Sequence, residues 1–245
     1  MTIDAHDYLG NDERVSEAMY DQRIAKIGQA TDKTEWGMTP PTVNAFYSPQ
    51  NNSINFPAGI LQPPFFDAKR DMAVNYGGVG SVIGHEMTHG FDDQGRKFDG
   101  SGNLRDWWTA KDGEEFEKRV SCVANEYSGF TSVDDVKLNG RLTLGENTAD
   151  NGGLRVAYMA LEDALKGKED KVDGFTPEQR LFLGFAQVWC ENMSPQELRQ
   201  RAMTDPHSPG RQRVNGTVQN MPEFQKAFSC KAGQAMVKEK VCRVW

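Results

Sequence analysis

The chain has 245 residues, 38% of them hydrophobic and 26% charged, which is enough to bury a sizeable core as one large domain or two small ones. Its net charge of −7, without a basic stripe, gives nucleic-acid binding no electrostatic support. No apolar run approaches the roughly 18 residues of a membrane span, and Met1 is followed by polar residues, not a signal-peptide core, so export information is expected to have been removed or the chain to begin partway through a longer protein.

In chain order, residues 12–27 read as an amphipathic helix, with Val15, Met19, Ile24 and Ile27 near one face and Asn11 or Asp12 as its cap. Thr39-Pro40-Pro41 breaks it. Residues 43–47 and 53–56 then read as two short strands joined by the turn residues Ser48 to Asn52, a hairpin. Pro57 to Pro64 forms a rigid apolar connection. A helix is expected from about Asp71 to Phe91, although Gly77, Gly78, Gly80 and Gly84 lower its propensity. Small residues permit close packing, so this helix is expected to be buried and hemmed by neighbours. Residues 92–108 are loop-rich, with a turn at Asp99 to Gly102. Further helices are expected near 109–127, 147–166, 176–192, 195–203 and 220–228, whereas 204–213 reads as an irregular, turn-rich loop. The balance is a mainly helical α+β fold with one small sheet.

The most informative stretch is His85-Glu86-Met87-Thr88-His89. Histidines four apart on a helix project from one face, so both imidazoles can reach one metal ion. The glutamate after the first histidine stands beside them, placed to take a proton from water. The chain has only 4 histidines, and two of them lie in this pattern.

A catalytic metal of this kind needs a third protein ligand. In Leu144-Gly145-Glu146-Asn147-Thr148-Ala149-Asp150 two carboxylates, Glu146 and Asp150, share one helical face. Leu154, Ala157, Tyr158 and Leu161 continue it as an apolar stripe that docks the helix. One carboxylate can bind metal while the other accepts the outer N–H of a ligating histidine. Two acids a turn apart usually mark a solvated face, but Gly145, Ala149, Gly152 and Gly153 argue for close contact. His207 lies between Pro206 and Pro209. A loop histidine is usually a surface residue, yet one held by two prolines and flanked by arginines can stabilise an oxyanion, with Arg213 as a carbonyl or carboxylate clamp. Cys122, Cys190, Cys230 and Cys242 form no C-x-x-C pair. They read as disulfides of an oxidising compartment, with free buried thiols as the alternative and the connectivity open.

Together these segments resemble the neprilysin-like zinc endopeptidases, of the gluzincin group with its thermolysin-like catalytic domain. The resemblance is carried by 43–47 (VNAFY), 56–66 (FPAGILQPPFF), 75–93, 144–153 (LGENTADNGG), 185–190 (FAQVWC), 207–210 (HSPG) and 242–245 (CRVW), in family order. It implies one zinc ion per chain, held by His85, His89 and Glu146, with Glu86 as the base that activates water. Asp150, and with it Asp92, resembles the carboxylate that orients a ligating histidine, and His207 the transition-state stabiliser. Asn44, the main chain of Ala45 and Arg213 are similar to the groups that hold the substrate backbone. Ile60, Phe65, Val82 and Trp189 are similar to the pocket for a hydrophobic residue after the cleaved bond.

The resemblance further implies a peptide substrate, an extracytoplasmic location and a Cys122–Cys242 disulfide. Residues 1–245 would form the catalytic domain, with a helical lead-in over 1–40 and the zinc-binding core over 41–245. Family members carry a helical lid upstream of this region. Its counterpart is expected as a separate or removed segment, supplying the partner cysteines of Cys190 and Cys230. A processed fragment, a subunit of a split enzyme and a free-standing short form all fit that expectation.

Overall fold

The computed structural model describes residues 1–167 and 170–245, which divide into two compact units, 1–37 and 38–245. The first unit holds helix α1 (Tyr8–Ile24), capped by Asp7, whose carboxylate accepts from the Gly10 backbone N–H. It starts four residues before the expected 12–27 because Asp7 caps it, displacing Asn11 and Asp12 from that role. Ile27 lies beyond its end, and none of its residues is buried.

The second unit opens with the hairpin, β1 (Phe46–Ser48) paired antiparallel with β2 (Ser53–Asn55), Tyr47 opposite Ile54. Both strands are shorter than expected, so Asn44 and Ala45 precede β1 as unpaired backbone. A second hairpin, β3 (Thr131–Val133) with β4 (Val136–Lys137), stands outside the expectation of one small sheet. Its strands are too short to show an alternating pattern.

The expected helix 71–91 is three pieces: α2 (Met72–Asn75), a wide turn over Tyr76–Gly80, and α3 (Ser81–His89). The break falls at Gly78 (φ −80°, ψ −106°), where the Val79 N–H turns out to the Phe65 carbonyl at 2.8 Å. A Cβ on Gly77 would sit 2.0 Å from the Leu181 carbonyl oxygen, and one on Gly78 2.3 Å from that of Phe65. The glycines therefore buy close packing on both sides, and the helical bonds lost there are replaced by tertiary ones.

Helix α3 lies against α5 (Leu144–Leu165) at glycine-to-glycine range: a Cβ on Gly84 would come within 2.5 Å of the Gly153 carbonyl oxygen. Leu154 and Leu161 of α5 then enter a core with Phe182 and Phe185 of α6 (Pro177–Val188), Val218 of α8 (Gly210–Gln219) and Met221. Phe224 of α9 (Pro222–Ala227) packs against this core. A second core gathers Phe116, Val120, Val123 and Tyr127 of α4 (Ala110–Gly129) with Leu144, Cys242 and Val244. Here Cys122 and Cys242 form a disulfide across 120 residues of sequence. Closing a loop of that order stabilises a fold by about 4–5 kcal/mol in the chain-entropy model. Cys190 and Cys230 are free thiols. Capping boxes at Thr109/Asp112 and Thr176/Gln179 start α4 and α6 where their sequences predict.

Residues 205–209 are irregular, as expected, but helix α8 corrects the end of the expected loop 204–213, starting at Gly210. Gly210 and Gly216 weaken its intrinsic signal, but a Cβ at either would strike the Trp189 carbonyl oxygen or the Tyr127 ring, at 2.4 and 2.5 Å. Packing, not propensity, makes this helix, and it places Arg213 on a rigid element. No helix among the described residues is long and apolar enough to cross a membrane.

Candidate active site

Helices α3 and α5 bring His85, His89 and Glu146 together, with one donor atom from each inside a 4.8 Å circle. Both imidazoles turn Nε2 inward, 2.9 Å apart, and Glu146 stands beside them at 3.3 Å from His85 Nε2 and 3.5 Å from His89 Nε2. The outer nitrogens are each held by a carboxylate. His85 Nδ1 lies 2.8 Å from Asp150 Oδ1, and His89 Nδ1 lies 2.7 Å from Asp92 Oδ2. Asp92 is itself fixed, accepting from the backbone N–H groups of Gln94 and Gly95 at 2.8 and 2.7 Å. Two imidazoles whose outer nitrogens are held by carboxylates, plus one carboxylate, are the donor set of an open tetrahedral zinc site.

The carboxylates also set the charge of these groups. Burial disfavours a charge on His85, but its hydrogen bonds to Asp150 and Glu146 outweigh burial and lift its pKa to about 9. Burial works against charge on Asp150 too. The Arg213 guanidinium and the His85 hydrogen bond overcome it and hold this carboxyl far below the usual range. Glu146, opposed by burial but paired with His85 and His89, is drawn down to about 2. In the metal-free protein a proton therefore occupies His85 at neutral pH, where a metal would sit. Zinc affinity is expected to rise with pH up to about 9, with about one proton released per ion bound. Calorimetric titration in buffers of different ionisation enthalpy counts that proton. An affinity independent of pH would contradict the assignment.

Glu86, 5% exposed, points from the same helix into the cleft, and burial raises its pKa despite the nearby histidines. His207 lines the same cleft, its Nε2 3.3 Å from Glu146 Oε1 and its Nδ1 2.7 Å from Asp205 Oδ1. The next residue anchors this loop: Ser208 Oγ donates to the Asn147 side chain at 2.8 Å, and Asn147 is fully buried beside Glu146. Arg213 is turned onto Asp150, with Nε 2.7 Å from Oδ2 and Nη2 2.7 Å from Oδ1. Its guanidinium carbon stacks 3.8 Å from the Trp189 ring centroid.

His85, Glu86, His89, Asp92, Glu146, Asp150, His207 and Arg213 line one cleft of about 500 Å³. Asn44, Ala45, Ile60, Phe65, Val82 and Trp189 line it as well, so the structure brings every site residue named from the sequence to a single cavity. Ala45, Ile60 and Val82 form a small apolar cluster there, with Phe65 packed against it. Sequence reasoning missed Phe185 in the lining and Asp205 behind His207. The D-x-H spacing was the available signal for Asp205, since its carboxylate also accepts from the His207 N–H, two residues on.

A helix carrying both histidines and an intervening glutamate, completed by a glutamate from the helix packed on it, defines the class: a zinc-metallopeptidase fold of the gluzincin type. Within that class the chain belongs to peptidase family M13, whose family model matches residues 44–244. It is 45% identical to an endothelin-converting enzyme homolog of Locusta migratoria, over all of this chain and 34% of that protein. It is 48% identical to human endothelin-converting enzyme 1, over 90% of this chain and 29% of the relative. Among solved structures it superposes on the inhibitor-bound zinc metalloprotease Zmp1 of Mycobacterium tuberculosis with a TM-score of 0.96. The identity there is 44%, covering 100% of this chain and 39% of that one. PepO of Lactobacillus rhamnosis gives 0.87 at 37% identity, over 97% of this chain and 36% of that one. The chain thus spans about a third of the length of the curated relatives it matches.

Proposed function

We propose that this chain is the catalytic part of a zinc-dependent endopeptidase that hydrolyses short peptides. The observation that carries the reading is the convergence of His85, His89 and Glu146, one donor atom from each within 4.8 Å of the others, with the Glu86 carboxylate in the same cavity. Zinc in such a site supplies Lewis acidity, polarising a carbonyl and bringing the pKa of water towards 7. Glu86 takes the proton of the attacking water and delivers it to the leaving amine. His207 Nε2, in the same cleft, donates to the oxygen on which charge develops. The substrate lies extended along 43–47, its backbone held by Asn44, the main chain of Ala45 and the guanidinium edge of Arg213. Ile60, Phe65, Val82 and Trp189, joined by Phe185, receive a hydrophobic residue after the cleaved bond. Asp150 and Asp92 orient the two histidines.

Because its relatives are about three times longer, we assign a lead-in role to residues 1–40, the catalytic core to 41–245, and a peptide-enclosing role to a helical lid segment outside this sequence. Cys190 and Cys230, free here, are the attachment points we assign to that segment. The Cys122–Cys242 bridge supports an extracytoplasmic location. A second reading, in which the core folds and binds zinc but turns over only when the lid is supplied, is favoured by the same difference in length.

Metal analysis with a quenched-fluorescent peptide assay, run on the chain alone and with a supplied lid segment, separates the two. One zinc per chain with turnover supports the first reading, and zinc without turnover until the lid is added supports the second. Absence of bound zinc removes both. His207→Ala is expected to lower kcat by about 10²-fold or more with little change in KM, because its hydrogen bond strengthens only as charge develops. Steady-state kinetics over a series of peptides reads this out, and a change confined to KM would reassign His207 to substrate binding.

A further inference from the structure

Behind His207 the structure holds a further residue that no motif announces. Helix α7 (Pro195–Thr204) ends at Asp205, whose backbone N–H closes onto the Arg201 carbonyl at 2.9 Å. The Arg201 side chain closes the same turn, its Nε 2.7 Å from Asp205 Oδ2. The other oxygen, Oδ1, accepts from the His207 backbone N–H at 2.8 Å and lies 2.7 Å from His207 Nδ1. One carboxylate thus meets three donors: the guanidinium on one oxygen, the backbone and the imidazole on the other. Arg201 is further fixed through Nη1, 3.3 Å from the Met193 sulfur. An arginine and an aspartate one turn apart at a helix end are ordinarily a weak surface pair. Here both side chains are about three-quarters buried, at 27% and 23% exposure, and the aspartate is already committed to the imidazole.

We propose that Arg201 is a positioning residue for His207, acting through Asp205. A carboxylate turns freely about its last side-chain torsion. Held on Oδ2 by a planar donor, it presents Oδ1 in one direction only, and so fixes the imidazole with Nε2 facing Glu146 and the cleft. The inference rests on the reading of His207 as the group that stabilises developing charge.

The test uses Arg201→Gln, whose shorter side chain keeps an amide but loses the charge and the guanidinium fork, with Arg201→Lys as the variant that keeps the charge and His207→Ala as the second arm of a double-mutant cycle. With only 4 histidines in the chain, ¹⁵N-histidine spectra of the intact protein resolve the His207 ring. Arg201→Gln is expected to broaden or shift the His207 Nδ1–H signal while those of His85 and His89 stay in place, and Arg201→Lys to restore it partly. In the peptide assay Arg201→Gln is expected to lower kcat about tenfold with KM unchanged, and to have no further effect on top of His207→Ala. An unaltered His207 signal, or a kcat loss of equal size in the His207→Ala background, overturns the proposal. If His207→Ala leaves kcat intact, the reading of His207 fails, and the ring signal still decides whether Arg201 holds it.

Discussion

Glu86→Gln is expected to keep a full equivalent of zinc and to lose peptide hydrolysis by about 10²–10⁴-fold, the range that a positioned general base contributes. The amide matches the carboxylate in size, so the packing of α3 is undisturbed. The candidate metal donors are His85, His89 and Glu146, none of which is altered. What disappears is the carboxylate to which the proposed mechanism gives the water proton, and it is not one of the candidate donors. The pH dependence carries a second check. Burial raises the Glu86 carboxyl above its ordinary 4.5, and a base must be ionised to act, so the acidic limb of kcat/KM is expected above that value. Zinc content by emission spectroscopy, alongside kcat for wild type and variant, decides the matter. Turnover retained with zinc bound would remove Glu86 from the mechanism.

Gly153→Ala is expected to damage the fold and the metal site together. The added Cβ would lie 2.4 Å from the His85 backbone nitrogen and 2.8 Å from its Cα, and no side chain can swing aside because the obstacle is main chain. Helix α5 must then retreat from α3, carrying Glu146 and Asp150 away from His85 and His89. The cost is about 3 kcal/mol, the upper end for overpacking, and zinc affinity falls with it because the donors no longer converge. Gly129→Ala is the control, since nothing lies within 4 Å of the Cβ it would add. Denaturant midpoints and chelator competition on both variants test the claim. A Gly153→Ala protein with wild-type midpoint and wild-type zinc affinity would show that the two helices are not held at glycine range.

Much of the metal centre was legible because its information is local. Spacing of four puts His85 with His89, and Glu146 with Asp150, on single helical faces, and the apolar run from Leu154 to Leu161 docks α5 by its own periodicity. What spacing cannot carry is the partner of a glycine. Four glycines in one presumptive helix register as lost propensity, but only the assembled fold reveals that Gly78 breaks the helix over the Phe65 carbonyl while Gly84 tightens it against α5. Helix α8 was hidden for the same reason, since Gly210 and Gly216 fill no space of their own and exist for Trp189 and Tyr127. The second hairpin is too short to alternate. Arg201 lay in an expected helix, where an arginine near the C-terminal end is unremarkable until Asp205 is seen to hold His207.

Asp150 is shared property, and sharing has a thermodynamic consequence. Its Oδ1 serves both the His85 ring and the Arg213 fork, and Arg213 also lines the cleft. Under the proposed function a peptide carbonyl draws on the guanidinium, which alters the charge balance on Asp150 and with it the basicity of the nitrogen that His85 would offer to a metal. Occupancy of the cleft and occupancy of the metal site are then coupled equilibria. By reciprocity, whatever factor a bound peptide analogue imposes on the zinc dissociation constant, zinc must impose on that of the analogue.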